Sequence, residues 1–242
     1  MKILIIGHGR MGQMIERTAL AAGDSIGGVI DIGNLSDLET IGRVADVAID
    51  FSAPPALPAV AHYVRQTGTP LLSGVTGLSA AELAIFDDLG HFAPVIHSAN
   101  YSLGVAVFRR ALEEVSGVLK PNFDIEIVET HHNQKADAPS GTAKILLDAV
   151  DPNHEYKPVY GRHGRPGPRD KKEIGVHALR GGTEAGTHTV SFFGQDEVLE
   201  ITHRAASRQI FVNGALHTAR QLVRMPKGRY ELQDLLFGGE KK

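Results

Sequence analysis

The sequence of 242 residues has no cysteine, and its charges nearly balance, with 25 lysines and arginines against 28 aspartates and glutamates. The absence of cysteine excludes a disulfide framework and a thiol nucleophile, and it is compatible with a reducing compartment. Because the formal net charge is only −3, no strong overall field recruits nucleic acid or an anionic membrane. Any anionic ligand must therefore be held by local cations.

Long hydrophobic runs are also missing. The N-terminal segment has only four consecutive apolar residues before Gly7, too few for the core of a signal peptide or for a membrane span. With 42% hydrophobic residues and 27 glycines, a chain of this length can bury two modest cores joined by many tight turns. We therefore expect a cytoplasmic, two-domain α/β protein without a membrane or nucleic-acid partner.

A glycine-rich turn follows the first predicted strand, residues 2–6, and opens a helical pattern that runs to about Ala22. The turn fits G-x-G-x-x-G and consists of Gly7, His8, Gly9, Arg10, Met11 and Gly12. Between a strand and a helix, this motif is a dinucleotide-binding fingerprint, because its glycines let the backbone approach a pyrophosphate at the helix N-terminus. These six residues are our first candidates for binding a cofactor.

An acidic residue closes the second predicted strand, residues 25–30. Asp31 stands at the position from which a carboxylate accepts hydrogen bonds from the ribose hydroxyls of a bound dinucleotide. No arginine stands beside Asp31 to receive a 2′-phosphate, so NADH is favoured over NADPH, although Arg10 could still assist NADPH. A surface aspartate that merely ends a strand is the alternative interpretation.

Strands and helices alternate through the first hundred residues. Further strands are predicted at 44–51, 69–72 and 94–97, with helices at 56–66 and 80–89. This alternation indicates a Rossmann-type doubly wound parallel sheet with ligand loops at its carboxyl edge. A helix predicted over 101–119 leaves that sheet, and we place the domain boundary near residue 102.

The following region predicts a second domain of the α+β class. Its strand-like segments are 123–130, 173–177, 188–193 and 198–202, and they indicate a mostly antiparallel open sheet, one face of which is commonly hidden by subunit association. A helix predicted over 215–224 leads back to the first domain. We expect one domain of residues 1–102 completed by 213–242, and a second of residues 103–212.

The segment 151–172 is rich in proline, glycine and basic residues and predicts a long irregular loop. Two interpretations remain open. It is either a solvated mobile loop or a lid whose arginines reach an anionic ligand.

The stretch 129–143 joins the strand 123–130 to a predicted helix. His131 or His132 can exchange a proton near neutral pH, and Lys135 offers a compact cation to a carboxylate. Gly141 and Thr142 bring amide N–H groups to a helix start, where an anion is favoured. The combination predicts an anion site beside proton-transfer groups. No metal site is predicted, because cysteine is absent and the nearby Glu and His residues lack i, i+4 spacing.

The same stretch resembles the signature E-x-H-H-x-x-K-x-D-A-P-S-G-T-A of the 4-hydroxy-tetrahydrodipicolinate reductase (dihydrodipicolinate reductase) family, with every fixed position filled. The resemblance implies that His131 donates or accepts a proton, that Lys135 donates a proton and pairs with a carboxylate, and that His132 contacts the substrate. It further implies that Gly141 and Thr142 cradle a substrate carboxylate. The expected activity is the NADH- or NADPH-dependent reduction of 4-hydroxy-tetrahydrodipicolinate, a small dicarboxylate, in the diaminopimelate and lysine pathway.

The resemblance extends to the first domain. In the family, two loops line the nicotinamide end of the cofactor, and they match Gly74, Val75, Thr76, Ser98, Ala99, Asn100 and Tyr101. The residue matching Asp31 meets the ribose. The family's glycine loop often reads G-x-x-G-R-M-G, and the present one is a residue shorter. Family members are homotetramers built on the second sheet, so a homotetramer is expected here.

Two other functions remain as alternatives. A different Rossmann reductase, acting on another small imino or keto dicarboxylate, would keep the glycine turn but would not need the His-His-x-x-Lys and Ser-Gly-Thr elements. A non-enzymatic nucleotide-sensing module would need no proton donor at all. Within the favoured reading, either His131 or Lys135 is the immediate proton donor.

Overall fold

The computed structural model describes residues 1–238, which form two compact units. The first unit contains Met1–Ser102 and the chain from Gln209 onward, and the second contains Leu103–Arg208. The strands are β1 (Lys2–Ile6), β2 (Ser25–Ile30), β3 (Val47–Asp50), β4 (Leu71–Ser73), β5 (Pro94–His97), β6 (Asp124–His131), β7 (Lys157–Val159), β8 (Glu173–Arg180), β9 (Thr187–Phe193), β10 (Val198–Arg204) and β11 (Gly228–Tyr230). The α-helices are α1 (Arg10–Ala21), α2 (Leu57–Thr67), α3 (Ala80–Leu89), α4 (Leu103–Leu119), α5 (Gly141–Val150), α6 (Gln209–Leu222) and α7 (Leu232–Phe237).

A six-stranded sheet with the order β2-β1-β3-β4-β5-β11 forms the centre of the first unit. All of its pairings are parallel, so the predicted Rossmann-type sheet is confirmed. The strand order reverses beside β1, which has β2 on one side and β3 on the other. In open parallel sheets, ligands bind outside the carboxyl ends of the strands at such a reversal.

Helices cover both faces of this sheet because its strands are apolar on both sides. On one face Leu4 and Leu71 belong to a buried cluster with Val60, Tyr63 and Phe86, which come from α2 and α3. Successive strand residues point to opposite faces, and on the other face α6 contacts β3, β4 and β5 and also packs against α1.

Some predicted boundaries differ from those observed. The helix predicted over 215–224 begins at Gln209, because Val212 extends the buried stripe of Ala215, Leu216 and Ala219 by one turn. Asn213 and Gly214 are poor helix formers and concealed this first turn in the sequence. The helix predicted from Tyr101 begins at Leu103, and the strand predicted over 44–51 is reduced to β3.

The second unit has a five-stranded sheet with the order β10-β9-β6-β8-β7. The β10–β9 and β9–β6 pairings are antiparallel, as predicted, whereas β6–β8 and β8–β7 are parallel. The helices α4 and α5 cover one face, and Phe108, Leu112 and Leu146 pack there against Ile127 and Val190. The unit is therefore α+β, with one face of its sheet left without a helix among the described residues.

The segment 151–172, predicted to be irregular, contains the short strand β7. Two of its arginines are paired with glutamates of the same unit. Arg162 contacts Glu126 at 3.1 Å and Glu173 at 2.6 Å, and Arg169 contacts Glu126 at 3.2 Å. The loop is thus fastened to the sheet at β6 and β8.

None of the helices within residues 1–238 is long and apolar enough to span a membrane.

Candidate active site

The glycine turn of the first unit depends on missing side chains. Gly7 has φ +86°, and a Cβ there would lie 2.6 Å from the backbone nitrogen of Ser52. A Cβ on Gly12 would lie 2.0 Å from the carbonyl oxygen of Gly7. Only glycine lets the turn follow β1 this closely and lets α1 start directly behind it. His8, between the glycines, pairs through Nε2 with Glu16 at 2.7 Å.

A cavity of about 370 Å³ opens beside this turn, at the reversal of strand order. It is lined by Ile6, Gly7, Gly9, Ile30, Asp31, Ile32, Leu35, Phe51, Ser52, Ala53, Pro55 and Ala56. The structure thus brings Gly7, Gly9 and Asp31 together at one cavity. Its apolar walls suit a flat adenine ring, and its exposed glycine backbone suits a pyrophosphate.

Asp31 both lines this cavity and caps the following 3₁₀ segment, Ile32–Glu39. Its Oδ1 accepts a hydrogen bond from the backbone N–H of Ile32 at 2.9 Å, and its own N–H donates to Asn34 Oδ1 at 2.7 Å. The carboxylate is therefore fixed at the end of β2, where an acceptor for ribose hydroxyls is required. The side chain of Ile32 is 92% exposed beside it. These features fit the adenosine half of a dinucleotide.

The two loops predicted to meet the nicotinamide follow β4 and β5. Gly74 packs against the ring of Phe51, where a Cβ would lie 2.4 Å from a ring carbon. Tyr101 is 1% exposed, and its hydroxyl donates to the carbonyl of Ser73 at 2.8 Å. Thr76 and Ala99 are exposed. The buried side chain of Tyr101 thus links the loop after β5 to the end of β4, while Thr76 and Ala99 remain exposed in the two loops.

Sequence reasoning missed Asp50, a fully buried carboxylate at the end of β3. It accepts hydrogen bonds from Ser52 N–H at 3.0 Å, Ser52 Oγ at 2.6 Å and Ser73 Oγ at 3.1 Å. Burial raises the pKa of Asp50, while the hydrogen bonds from Ser52 and Ser73 act in the opposite direction. The residue joins the turn after β3 to β4. The only signal in the sequence is an acidic residue at the end of an apolar run.

In the second unit, strand alternation brings two polar residues to the helix-covered face of the sheet. Alternate residues of β6 are buried, and Ile125 and Ile127 on this face belong to the apolar core. Glu129 and His131 continue the same face, with 0% and 9% of their surface exposed. The apolar core therefore ends in a carboxylate and an imidazole.

Four hydrogen bonds surround the buried carboxylate of Glu129. Arg180 donates from Nη1 to Oε2 and from Nη2 to Oε1, both at 2.8 Å. His131 Nδ1 lies 2.5 Å from Oε2, and the N–H of Ser140 donates to Oε1 at 3.0 Å. Burial alone would raise the pKa of Glu129, but the hydrogen bonds from Arg180, His131 and Ser140 outweigh it and hold the pKa below its ordinary value. Glu129 is consequently ionised at neutral pH.

The other edge of the His131 ring borders the turn between β8 and β9, where the absence of a side chain leaves room beside Nε2. Gly186 has φ +148°, and a Cβ there would lie 3.0 Å from His131 Nε2. The backbone of this region is paired as well, because Gly181 N–H donates to the carbonyl of His131 at 2.9 Å and His132 N–H donates to the carbonyl of Glu184 at 2.8 Å. The imidazole therefore has a fixed position.

A second buried histidine lies beside the first. The rings of His131 and His188 are 5.0 Å apart and nearly perpendicular. His188 Nε2 is 3.0 Å from the hydroxyl of Ser140, which caps α5 by accepting from Ala143 N–H at 3.1 Å. Burial and the neighbouring His131 lower the pKa of His188 to about 4. His188 is therefore neutral at neutral pH.

The remaining predicted residues of the second unit follow His131 along the chain, up to the first turn of α5. Lys135 Nζ contacts Asp137 at 2.7 Å, and Lys135 N–H donates to the carbonyl of His132 at 3.2 Å. Gly141 is the exposed first residue of α5, with Thr142 next to it. The predicted residues thus span the end of β6 (His131), the following loop (His132 and Lys135) and the start of α5 (Gly141 and Thr142). Within residues 1–238, no group of three or more histidines or carboxylates could hold a metal ion.

Comparison with known proteins identifies the family. The family model described as "Dihydrodipicolinate reductase, N-terminus" matches residues 1–101, and that described as "Dihydrodipicolinate reductase, C-terminus" matches residues 104–236. The chain belongs to the dihydrodipicolinate reductase family. The resemblance stated from residues 129–143 is thereby confirmed.

Curated relatives agree with this membership in the dihydrodipicolinate reductase family. A 4-hydroxy-tetrahydrodipicolinate reductase of Staphylococcus carnosus is 41% identical over 243 residues, covering 97% of this chain and 99% of the relative. One from an Exiguobacterium species is 38% identical over 238 residues, covering 97% and 95%. Among solved structures, a dipicolinate-bound dihydrodipicolinate reductase from Paenisporosarcina sp. TG-14 superposes with a TM-score of 0.77 at 20% identity, covering 97% of this chain and 99% of the other. That similarity confirms the fold.

The lowered pKa of His188 predicts how stability depends on pH. Folded His188 takes up a proton only near pH 4, whereas an ordinary histidine does so near 6.5. Between these values the unfolded state binds more protons than the folded state. The contribution of His188 to the free energy of unfolding is therefore fully present above about pH 6.5 and is lost as the pH falls towards 4. This contribution is at most about 3 kcal/mol. Urea unfolding of the wild type at pH 4.5–7 should show this loss.

The variant His188→Gln keeps a hydrogen-bonding group beside Ser140 and should show a weaker dependence on pH in this window. His163→Gln, at an exposed position, is the matched control and should behave as the wild type. An equally steep dependence in His188→Gln would contradict the assignment.

Proposed function

We propose that the protein reduces 4-hydroxy-tetrahydrodipicolinate with NADH or NADPH, with loss of water, to tetrahydrodipicolinate in diaminopimelate and lysine biosynthesis. The single observation that carries the proposal is the loop 129–143, which holds a buried histidine, a lysine and a helix N-terminus in a chain of this family. Relatives named 4-hydroxy-tetrahydrodipicolinate reductase are about 40% identical to this chain, and the alignments cover nearly their whole length. An anionic, unsaturated dicarboxylate needs these three groups, namely a proton source, a cation and amide donors.

Each group of the loop has a task in this proposal. His131 holds a proton at Nε2 and exchanges it with the substrate, and His132 contacts the substrate. Lys135 pairs with a substrate carboxylate and can donate a proton. When the substrate binds, this carboxylate replaces Asp137 as the partner of the ammonium group or joins it. The N–H groups of Gly141 and Thr142 receive a carboxylate at the start of α5. When bound, the nicotinamide cofactor supplies the hydride.

For the cofactor we propose the turn Gly7–Gly12, Asp31 and the loops Gly74–Thr76 and Ser98–Tyr101 as the binding residues. NADH is favoured over NADPH, since a carboxylate at Asp31 accepts from ribose hydroxyls but repels a 2′-phosphate. The fixed position of Asp31 at the cavity supports this preference. Arg10, exposed at the first residue of α1, is the one cation of the glycine turn that could moderate it.

For the chain as a whole we propose a dinucleotide-binding domain of residues 1–102 completed by 213–242, and a substrate-binding and tetramerisation domain of residues 103–212, in a cytoplasmic homotetramer. The helix-free face of the second sheet supports association, because it leaves Leu179, Phe193 and Val198 between 42% and 54% exposed. Light scattering at micromolar concentration measures the mass, and a monomer would contradict the tetramer.

The activity itself is tested by following NADH absorbance with and without 4-hydroxy-tetrahydrodipicolinate. Oxidation that requires this substrate is the expected result. Oxidation with another imino or keto dicarboxylate but not with this one would favour a different Rossmann reductase. NADH binding without any turnover would favour a nucleotide-sensing module.

Replacing His131 should chiefly affect turnover. His131→Gln removes the proton at Nε2 but keeps a polar side chain, so kcat should fall by about 10²–10⁴-fold, the range for one general acid. The adjacent His132→Gln is the matched control and should act mainly on KM. Steady-state kinetics of the purified variants make the comparison. An unchanged kcat in His131→Gln would assign the proton to another donor, with Lys135 the next candidate.

Replacing Asp31 should alter the choice of cofactor. Asp31→Ser retains a short side chain that can cap the 3₁₀ segment, but it removes the charge that repels a 2′-phosphate. The ratio of kcat/KM for NADPH to that for NADH should rise about tenfold, corresponding to roughly 1.4 kcal/mol. Arg10→Ala should lower the same ratio. A ratio unaffected by Asp31→Ser would place the ribose elsewhere.

A further inference from the structure

We propose that Glu129 and Arg180 are positioning residues that together control the proton on His131: Glu129 fixes which ring nitrogen faces the substrate, and Arg180 offsets the charge of Glu129. This inference rests on the proposed function, because it concerns the proton that His131 exchanges. The sequence analysis assigned no site role to Glu129 or Arg180.

The carboxylate of Glu129, which accepts hydrogen bonds, determines which nitrogen of the His131 ring carries a proton. An ionised carboxylate can only accept hydrogen bonds, so the contact of 2.5 Å between Oε2 and His131 Nδ1 requires a proton on Nδ1. In a neutral ring Nε2 is then the bare nitrogen, and in the cationic ring Nε2 carries the second proton. Proton exchange with a ligand therefore takes place at Nε2 alone.

Arg180 changes what the carboxylate does to that proton. A lone carboxylate beside an imidazole strongly favours the cation, which would then release its proton reluctantly. Arg180 binds both oxygens of Glu129, and its guanidinium is held in turn by the carbonyls of Leu179 and Asp137, at 2.6 and 2.7 Å. The pair therefore holds His131 in place without trapping its proton.

Four further charged or titratable groups lie near this cluster. His188 on β9 packs against the His131 ring, His203 on β10 and Lys135 in the loop before α5 act electrostatically on His188, and Asp137 acts on Arg180. Burial and His131 keep His188 neutral by lowering its pKa to about 4, and burial also lowers the pKa of His203. Lys135 and Asp137 form a pair of opposite charges. Glu129 and Arg180 are thus the charged groups whose removal is expected to act most strongly on His131.

Glu129 also connects the proton site to the anion site. Its Oε1 accepts from the N–H of Ser140, the residue whose hydroxyl caps α5. Weakening this carboxylate is therefore expected to loosen the start of α5 as well, where a substrate carboxylate is proposed to bind. Glu129 variants should show changes in both kcat and KM.

The experiment compares the dependence of kcat/KM on pH, with cofactor saturating, for the wild type, Glu129→Gln and Arg180→Met. Glu129→Gln keeps an oxygen that accepts from Nδ1 but removes the negative charge, so activity should be lost at a lower pH, by about one pH unit. Arg180→Met leaves the negative charge unbalanced, so activity should persist to a higher pH. Two opposite displacements are the expected signature, because a merely structural role would lower activity without moving the profile in opposite directions.

Arg162→Met is the matched control. Arg162 pairs with Glu126 on the same strand as Glu129, but Glu126 belongs to the opposite face of the sheet, so this variant should keep the wild-type profile. If Arg180→Met does not fold, Arg180→Lys retains a cation without the two-point contact and should move the profile in the same direction by a smaller amount.

The outcomes separate the two proposals. A wild-type enzyme that turns over the substrate, combined with profiles that do not move or that move in one direction in both variants, would overturn the positioning role alone. A wild type that never oxidises NADH with the substrate would overturn the proposed function and, with it, this inference.

Discussion

The second unit depends on one buried carboxylate. Removing an ionised group from water is very unfavourable unless it is paired and fully hydrogen-bonded. Glu129 meets that requirement through Arg180, His131 and Ser140, which come from β8, β6 and the turn before α5. The need to satisfy one side chain therefore fixes three segments at once. Those segments carry the imidazole and the helix N-terminus on which the proposed chemistry relies.

The two units prepare their sites by different means. In the first unit, the site consists of exposed backbone. Gly7 and Gly12 have no side chains, so a ligand can approach the backbone closely at the point where the strand order reverses. In the second, it is made by charge pairs at the end of an apolar face. A parallel sheet already directs its strand ends to one edge, whereas a half-covered mixed sheet must anchor its polar groups individually.

The sequence predicted what short motifs and local periodicity encode. The strand before Gly7, the helix after Gly12 and the position of Asp31 lie within 31 residues of one another, and the Rossmann-type sheet followed from the alternation of strands and helices through the first hundred residues. The loop 129–143 was found because its residues are contiguous. The counter-charge of Glu129 was not found, because Arg180 lies 51 residues away and is brought close by the parallel pairing of β6 with β8. Similarly, His188 reaches Ser140 across 48 residues. The arginines of the loop 151–172 could not be assigned to Glu126 for the same reason.

The alternation of β6 nevertheless contained a signal. Ile125, Ile127, Glu129 and His131 share one face, so a carboxylate and an imidazole were predictably directed to the buried side. The pattern does not identify the cation that pairs with Glu129, because any lysine or arginine that the fold brings close could neutralise a buried glutamate. Asp50 illustrates the same limit in the first unit, where Ser52 is local but Ser73 comes from the next strand.

The most direct measurement of the central interaction is the tautomer of His131, read from the nitrogen-15 chemical shifts of its ring at a pH where the ring is neutral. The signal is assigned by its absence in His131→Gln. A hydrogen bond to ionised Glu129 predicts a protonated Nδ1 and a bare Nε2. A neutral ring that carries its proton on Nε2 would contradict the account.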